Sequence, residues 1–422
     1  MMSAHSPEIS VLSSPQRRCH LLLMLCLPEP IVTLESVCQL NGVEHAVTRQ
    51  DIAEVAEEIQ RYHHLAIVED SSGVLSLAGT PLDQRLCLLH GLRRALRLSP
   101  AFIQHYFSSA IRQQLLTRPV DKALYDEHNL TALVHHCAQQ LGREFSPRDN
   151  HFLQIWLRYS FAWTCQPGFT PQQQQWLSDK SESPLAQDIV RCWRKRGYQA
   201  TPDETDLLTL LFSQIHIPAT QHITCAQERQ LLASVERLIQ RFQALSGMVF
   251  SNDAGLSTQL YTHLAQALER CLFTIGIDHT LVEDVARQYP RLLRTTREAI
   301  AAFEQQYGVQ FSDEEMGLIA IIFGAWLMQE SALQEKQVLL LIGHDRELER
   351  QVEQQLRELT LLPLNIKYQD VADFQRHSAP KGIALVITPY ATPLPLYSPP
   401  LIHAELPLGE HQQRSIRTLL ES

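Results

Sequence analysis

The sequence predicts a mainly α protein with a winged-helix N-terminal domain, two all-helical modules and a small C-terminal α/β domain. Three observations carry this expectation. Helix, turn, helix and hairpin patterns follow one another over residues 16–98, one kind of helix start recurs between 118 and 332, and strand patterns alternate with a helix pattern after 337. The 422 residues, 45% hydrophobic and 19% charged, exceed one ordinary domain and supply apolar material for several cores.

The N-terminal unit, residues 1–98, contains an apolar helix at Leu21–Leu27. Thr33 is placed to cap a second helix, Leu34–Leu40, which Gly42 ends, and a third carries Ile52, Val55, Ala56 and Ile59 at helical spacing. Leu65–Val68 and Val74–Leu77 then read as strands around the polar turn Glu69–Gly73, in the position of a wing. The charge balance is unfavourable for DNA. The would-be recognition helix, Thr48 to Tyr62, sets Arg49 and Arg61 against Asp51, Glu54, Glu57 and Glu58, a net charge of −2. Residues 1–98 hold eight Arg and no Lys against eleven acids. Neutralised phosphates supply most non-specific DNA affinity, so any DNA binding is expected to be weak and salt-sensitive, with Arg49 the candidate contact. A DNA-binding fold that has become a protein-contact surface fits the same charges.

Between 118 and 332 three helix starts share one form: Ser146-Pro-Arg-Asp149, Thr201-Pro-Asp-Glu204 and Ser312-Asp-Glu-Glu315. Each offers a hydroxyl N-cap and an acid three residues later, and the first two place Pro at the first helical position. The apolar helices Phe152–Trp163, Leu207–Phe212 and Met316–Met328 follow them, and a fourth, Leu256–Leu272, starts from Asn252–Gly255. Two copies of a helical module of about 100 residues are expected here. After it, Gln337–Ile342, Leu364–Tyr368 and Ile383–Thr388 read as buried strands separated by helices, the first of them Asp345–Leu359. That βαβαβ order predicts a parallel sheet. A proline-rich stretch, Ala391–Pro400, and a closing helix, His411–Leu420, complete the chain.

Composition excludes other classes. Mean hydropathy is −0.15, and the longest apolar run, Leu318–Met328, falls short of a membrane span and is broken by Gly324. Residues 1–18 lack an apolar stretch ending in small residues, so no signal peptide is expected. Nine scattered cysteines without a C-x-x-C read as reduced core thiols of a cytoplasmic protein. The net charge of −10 argues against a chain dominated by nucleic-acid binding, though not against one modest module.

The second helical module resembles a PTS regulation domain (PRD) in Leu260-Tyr-Thr-His263-Leu264, Ala267, Arg270, Tyr289-Pro290 and Ser312-Asp-Glu-Glu315-Met-Gly-Leu-Ile-Ala320. Such modules occur in pairs in BglG-type antiterminators and MtlR/LicR-type transcription activators. Leu153–Leu157 through Glu204–Phe212 resembles a first copy more loosely, and Gly73–Gly79 with Arg85–Arg94 resembles the activators' winged-helix region. The resemblance implies a winged-helix domain at 1–98, a degenerate PRD at 118–220, a second PRD at 224–332 and a degenerate IIB-like domain at 337–422.

The resemblance also implies a chemistry. Regulation domains are switched when a phosphocarrier protein of the sugar phosphotransferase system phosphorylates their histidines, adding about two negative charges. One acceptor position is the histidine of L-x-x-H-L, and a second lies seven residues after the acid of the later helix. In this chain the four positions hold His263, Ile322, Trp156 and Leu211. Three of them cannot accept phosphate. His263 is the remaining candidate, with Arg270 two turns along the same helix edge as a phosphate neighbour; a structural role in helix packing is the competing reading. His63-His64 and His135-His136 are adjacent pairs, which diverge by about 100° on a helix and make poor metal ligands. Gly343-His344-Asp345 follows the first strand of the C-terminal domain, where a IIB domain keeps a phosphocysteine, but no cysteine follows Cys271. No H-E-x-x-H, G-x-S-x-G or P-loop occurs, so no enzyme, metal or cofactor is expected.

The expected function is therefore a transcription regulator whose phosphohistidine control is largely lost. The alternatives are a non-enzymatic interaction module with the same architecture and, against the missing histidines and cysteine, a transport phosphocarrier. Expected partners are a second copy of the chain, drawn together by the apolar faces around Leu318–Trp326, then DNA and the phosphocarrier protein, with no membrane insertion.

Overall fold

Local capping chemistry starts the chain's first helices. In the computed structural model, which describes residues 11–215, 219–277, 282–329, 334–395 and 397–421, Ser13 forms a capping box with Gln16 and opens α1 (Ser14–Leu25). Thr33 likewise caps α2 (Leu34–Asn41), which stops at Gly42 in the left-handed region with φ 64°. α3 (His45–His63) follows. Residues 1–10, part of the 1–18 stretch read for a signal peptide, and residues 330–332, at the end of the expected second module, lie outside the described residues.

The chain forms two compact units, residues 1–228 with 272–276, and 229–271 with 277–422. In the first, β2 (Ala66–Glu69) and β3 (Val74–Ala78) form the expected hairpin, and β1 (Val32–Thr33) adds a third antiparallel strand through Val32 opposite Leu75. α4 (Pro81–Leu98), capped by Thr80, packs along α1. The two helices approach closely at Gly91, where a Cβ would lie 3.1 Å from Leu22 Cδ2. His20 is buried between them and α2, its ring nitrogens 2.9 Å from Asn41 Oδ1 and 2.8 Å from Ser99 Oγ.

The same unit continues through helices Glu127–Gln140, α5 (Pro147–Ala162), Pro171–Ser178, Ser183–Lys195 and α6 (Glu204–Ile215). Ser146 caps α5 as expected, with Pro147 at its first position. Thr201 does not repeat this, because Pro202 sits in a turn and α6 begins only at Glu204. One apolar cluster runs from Cys19 to Ile215.

In the second unit, α7 (Asp253–Leu272), α8 (Pro290–Tyr307) and α9 (Asp313–Gln329) bring together the residues of the second helical module. The sequence assigned the apolar face of Leu318–Trp326 to a second copy of the chain. Within its own unit the helix is covered on one side, while Leu318, Ile321, Ala325 and Met328 on the other side stay half-buried or exposed. Phe323 stacks on Phe242 at 4.0 Å, Gly324 lies under Leu292, and Trp326 donates to Gln259 Oε1 at 2.6 Å. Among the described residues no helix is long and apolar enough to cross a membrane.

The C-terminal sheet is fully parallel in the order β5-β4-β6-β7, from β4 (Lys336–Ile342), β5 (Leu364–Asp370), β6 (Leu385–Thr388) and β7 (Leu401–His403). α10 (Arg346–Glu358) joins β4 to β5, and α11 (Glu410–Glu421) ends the chain. Period-two alternation splits β4 between two cores. Val338 and Leu340 pack with Val352, Leu356 and Leu420, while Leu339 and Leu341 pack with Phe374 and Ile383. The strand β7 was hidden by the prolines before it. Of the nine cysteines expected in the core, Cys19, Cys26, Cys38, Cys87 and Cys137 are buried, whereas Cys192 is exposed and the other three are half-buried.

Burial pushes the His63 imidazole down from 6.5 to about 4. Its folded-state value thus lies below its unfolded value, so the neutral ring's contribution is complete above about pH 6.5 and is lost as pH falls towards about 4. Urea midpoints should fall by the equivalent of about 2–3 kcal/mol across that window. His63→Gln should flatten this part of the profile; an unchanged profile would place the acid sensitivity elsewhere.

Candidate functional site

On α7, Leu256, Leu260, Leu264 and Leu268 form the buried stripe, which places His263 at its edge and Arg270 two turns further on. Across from them α9 begins at Ser312, whose hydroxyl accepts from the Glu315 backbone N–H at 3.2 Å. That cap fixes Glu315, only 3% exposed, in the first turn of α9, facing α7. His263 and Arg270 meet on this one carboxylate. The Arg270 fork donates to both oxygens, through Nε to Oε1 and through Nη2 to Oε2 at 3.1 Å. His263 Nε2 lies 3.2 Å from Oε2, an ion-pair distance that lacks the alignment of a hydrogen bond. Burial pushes the Glu315 carboxyl up, but His263 and Arg270 outweigh it and hold the group below the usual carboxylate range.

This geometry places the candidate acceptor and its basic neighbour together, as the seven-residue spacing predicts. It also changes the neighbour's role. Arg270 is a bidentate partner of Glu315 rather than a free cation beside His263. A phosphate on Nε2 would meet the Glu315 carboxylate at ion-pair distance, like charge against like.

The other three acceptor positions are core residues: Trp156 is 4%, Leu211 1% and Ile322 9% exposed. In the stretch expected to form a first module, Glu204 is the residue matched to Glu315, and the residue seven after Trp156 is Trp163, which carries no guanidinium. Burial accordingly pushes the Glu204 carboxyl up, the opposite of Glu315.

His344 lies in the loop between β4 and α10, exposed, with its ring 5.1 Å from Tyr390. The loop is tied internally. The Gly343 N–H donates to Glu349 Oε1 at 2.6 Å, Tyr390 donates to the same oxygen at 2.7 Å, and the Asp345 N–H donates to the Tyr390 hydroxyl at 2.9 Å. A Cβ at position 343 would lie 2.9 Å from the Tyr390 ring, so a larger residue there would push that ring aside. The chain's own carboxylate thus holds the loop amide that an anion would need. Linear sequence gave no sign of this, because Tyr390 comes from beyond β6.

Arg49 is exposed on α3, as a DNA contact requires. The charge of the helix is not what its sequence suggests. Asp51, 2% exposed, pairs with Arg17 at 2.7 Å, Glu54 pairs with Arg18, and Glu58 pairs with Arg94. Three of the four acids are therefore answered by α1 and α4, leaving Glu57 as the exposed acid without such an ion pair. Of the paired histidines, His63 is buried and His64 ends α3 in the left-handed region, while His135 and His136 are both exposed.

Residues 236–326 match the PRD domain family, and residues 336–420 match the C-terminal domain of the stationary phase-inducible protein CsiE. The chain is 49% identical to stationary phase-inducible protein CsiE of Escherichia coli strain K12, over 100% of both chains. It is also 25% identical to the transcriptional regulator ManR of Bacillus subtilis strain 168, over 37% of this chain and 25% of that protein.

Removing the shared carboxylate should be costly. Glu315→Ala leaves Arg270 and His263 without their anion in a largely buried place, and unfolding should become easier by about 2–4 kcal/mol. Glu204→Gln, which replaces a carboxyl already biased towards its neutral form, should be neutral or mildly stabilising. Thermal denaturation of the two variants beside the parent protein checks both signs.

Proposed function

The chain belongs to the CsiE family, and from that premise we propose that it is a non-enzymatic, cytoplasmic transcription regulator of the PRD type that contacts DNA through α3. In this reading residues 1–98 form the winged-helix domain, 118–220 and 224–332 the two PRD modules, and 337–422 a IIB-like domain. The observation that carries DNA contact is the internal pairing of Asp51, Glu54 and Glu58. With those acids answered from within the fold, the exposed side of α3 can approach phosphates that the whole-helix charge would repel. Net charge favours a second reading, an interaction module without DNA binding, since residues 1–98 hold no lysine.

Genome-wide immunoprecipitation of the tagged protein separates the two readings. Discrete enriched sites support the regulator, and their absence supports the interaction module. On an enriched fragment, Arg49→Ala should weaken binding by about 1–2 kcal/mol and lower the salt slope by about one. Nanomolar binding that survives physiological salt and ignores Arg49→Ala would place the recognition element elsewhere.

The regulator is proposed to act as a homodimer, the commonest closed assembly, and the partly exposed side of α9 at Leu318, Ile321, Ala325 and Met328 supports that reading. Light scattering that finds only monomer at micromolar concentration would remove this part. Phosphohistidine control is proposed to be lost. Incubation with the phosphorylated phosphocarrier protein should leave no stable label, because Nε2 of His263 is set against Glu315. Label on His263 that His263→Ala abolishes would restore the switch, and label on His344 would move it to the C-terminal domain.

A further inference from the structure

We propose that the first unit carries a binding site for a small carboxylate with a flat apolar body, with Arg85 as the group that holds the carboxylate. The site is a cleft of about 500 Å³ bounded by the end of α1, the strands β1 and β3, the start of α4 and the segment that follows α5. A volume of this size accommodates a single small molecule. Its walls join apolar surface from Leu27, Leu75, Leu77 and the rings of Tyr159 and Trp163, which lie 4.9 Å apart, to polar groups at Gln84, Thr164 and Gln166.

Arg85 is what makes this cleft more than an apolar dent. The residue is 8% exposed, yet among the described residues it forms no ion pair with a carboxylate. Its Nη2 donates to the Trp163 carbonyl, and its Cζ lies 4.7 Å from the centre of the Tyr159 ring. Those contacts position the guanidinium without neutralising it. Glu204 senses the charge but stands outside ion-pair distance, and burial biases its carboxyl towards the neutral form. A cation removed from water without a counter-ion is costly, and an anion entering the cleft recovers that cost. A guanidinium carries five N–H donors in a planar fork, which matches a carboxylate in two parallel hydrogen bonds.

A carboxylate suits the cleft better than a phosphate. A single guanidinium serves one bidentate partner, and the lining brings no second cationic side chain. Aromatic and branched walls favour a flat hydrocarbon body behind the charged end. Because β3 and the end of α5 both line the cleft, such a ligand would touch the hairpin and the first helical module together. The proposal is independent of whether α3 contacts DNA.

The test titrates the full chain with trans-cinnamate, its neutral amide cinnamamide and inorganic phosphate, by calorimetry and ligand-observed NMR. Cinnamate should bind at least ten times more tightly than cinnamamide, and phosphate should not displace it. Arg85→Gln should remove that preference. Since Arg85 also holds the Trp163 carbonyl, this variant can lose its fold, so Thr164→Glu at the exposed rim serves as a second probe. It should weaken cinnamate several-fold and leave cinnamamide unchanged. Equal affinity for acid and amide, displacement by phosphate, or a preference indifferent to both substitutions would overturn the proposal.

Discussion

One buried carboxylate organises the second helical module. Glu315 collects a guanidinium fork and an imidazole from a single edge of α7, and in doing so it fixes the start of α9 against that helix. A charge so far from water is tolerable only because its oxygens are answered. The first module makes the contrast visible. There the acid is present as Glu204, the fork and the imidazole are replaced by Trp163 and Trp156, and the carboxyl shifts towards neutrality. Around Glu204 the packing is aromatic, with Phe161 between Trp193 and Tyr198 at 4.8 and 5.1 Å.

Much of the fold was legible in the sequence where the signal was local. Thr33 and Ser146 act as caps because a hydroxyl and a nearby partner satisfy backbone donors within one turn. The hairpin at Gly73 and the parallel order of the C-terminal strands follow from patterning over a few residues. The failures have separate causes. Thr201 resembles the other caps, but Pro202 and Asp203 form a turn and α6 begins at Glu204. The two-residue strand β1 and the three-residue strand β7 are too short for periodicity to register.

The site was legible to a similar depth. Spacing alone places His263 and Arg270 on one edge, since seven residues nearly complete two turns. It does not show that a third residue, 45 positions further along from Arg270, claims the guanidinium. The charge of α3 is a stronger case. Summed along the chain, its acids repel DNA; folded, three of the four face Arg17, Arg18 and Arg94 from other helices. A linear count treats every charge as exposed, and only packing decides which of them a partner meets.

The loop after β4 has a consequence of another kind. Open parallel sheets offer their ligand crevice at the carboxyl ends of the strands, and an anion there is held by loop amides. Here Glu349 accepts from the Gly343 amide and the Tyr390 hydroxyl, so the loop donors are answered from inside the chain. An anion would therefore reach the loop amides only by displacing the Glu349 carboxylate and the Tyr390 hydroxyl that now hold them.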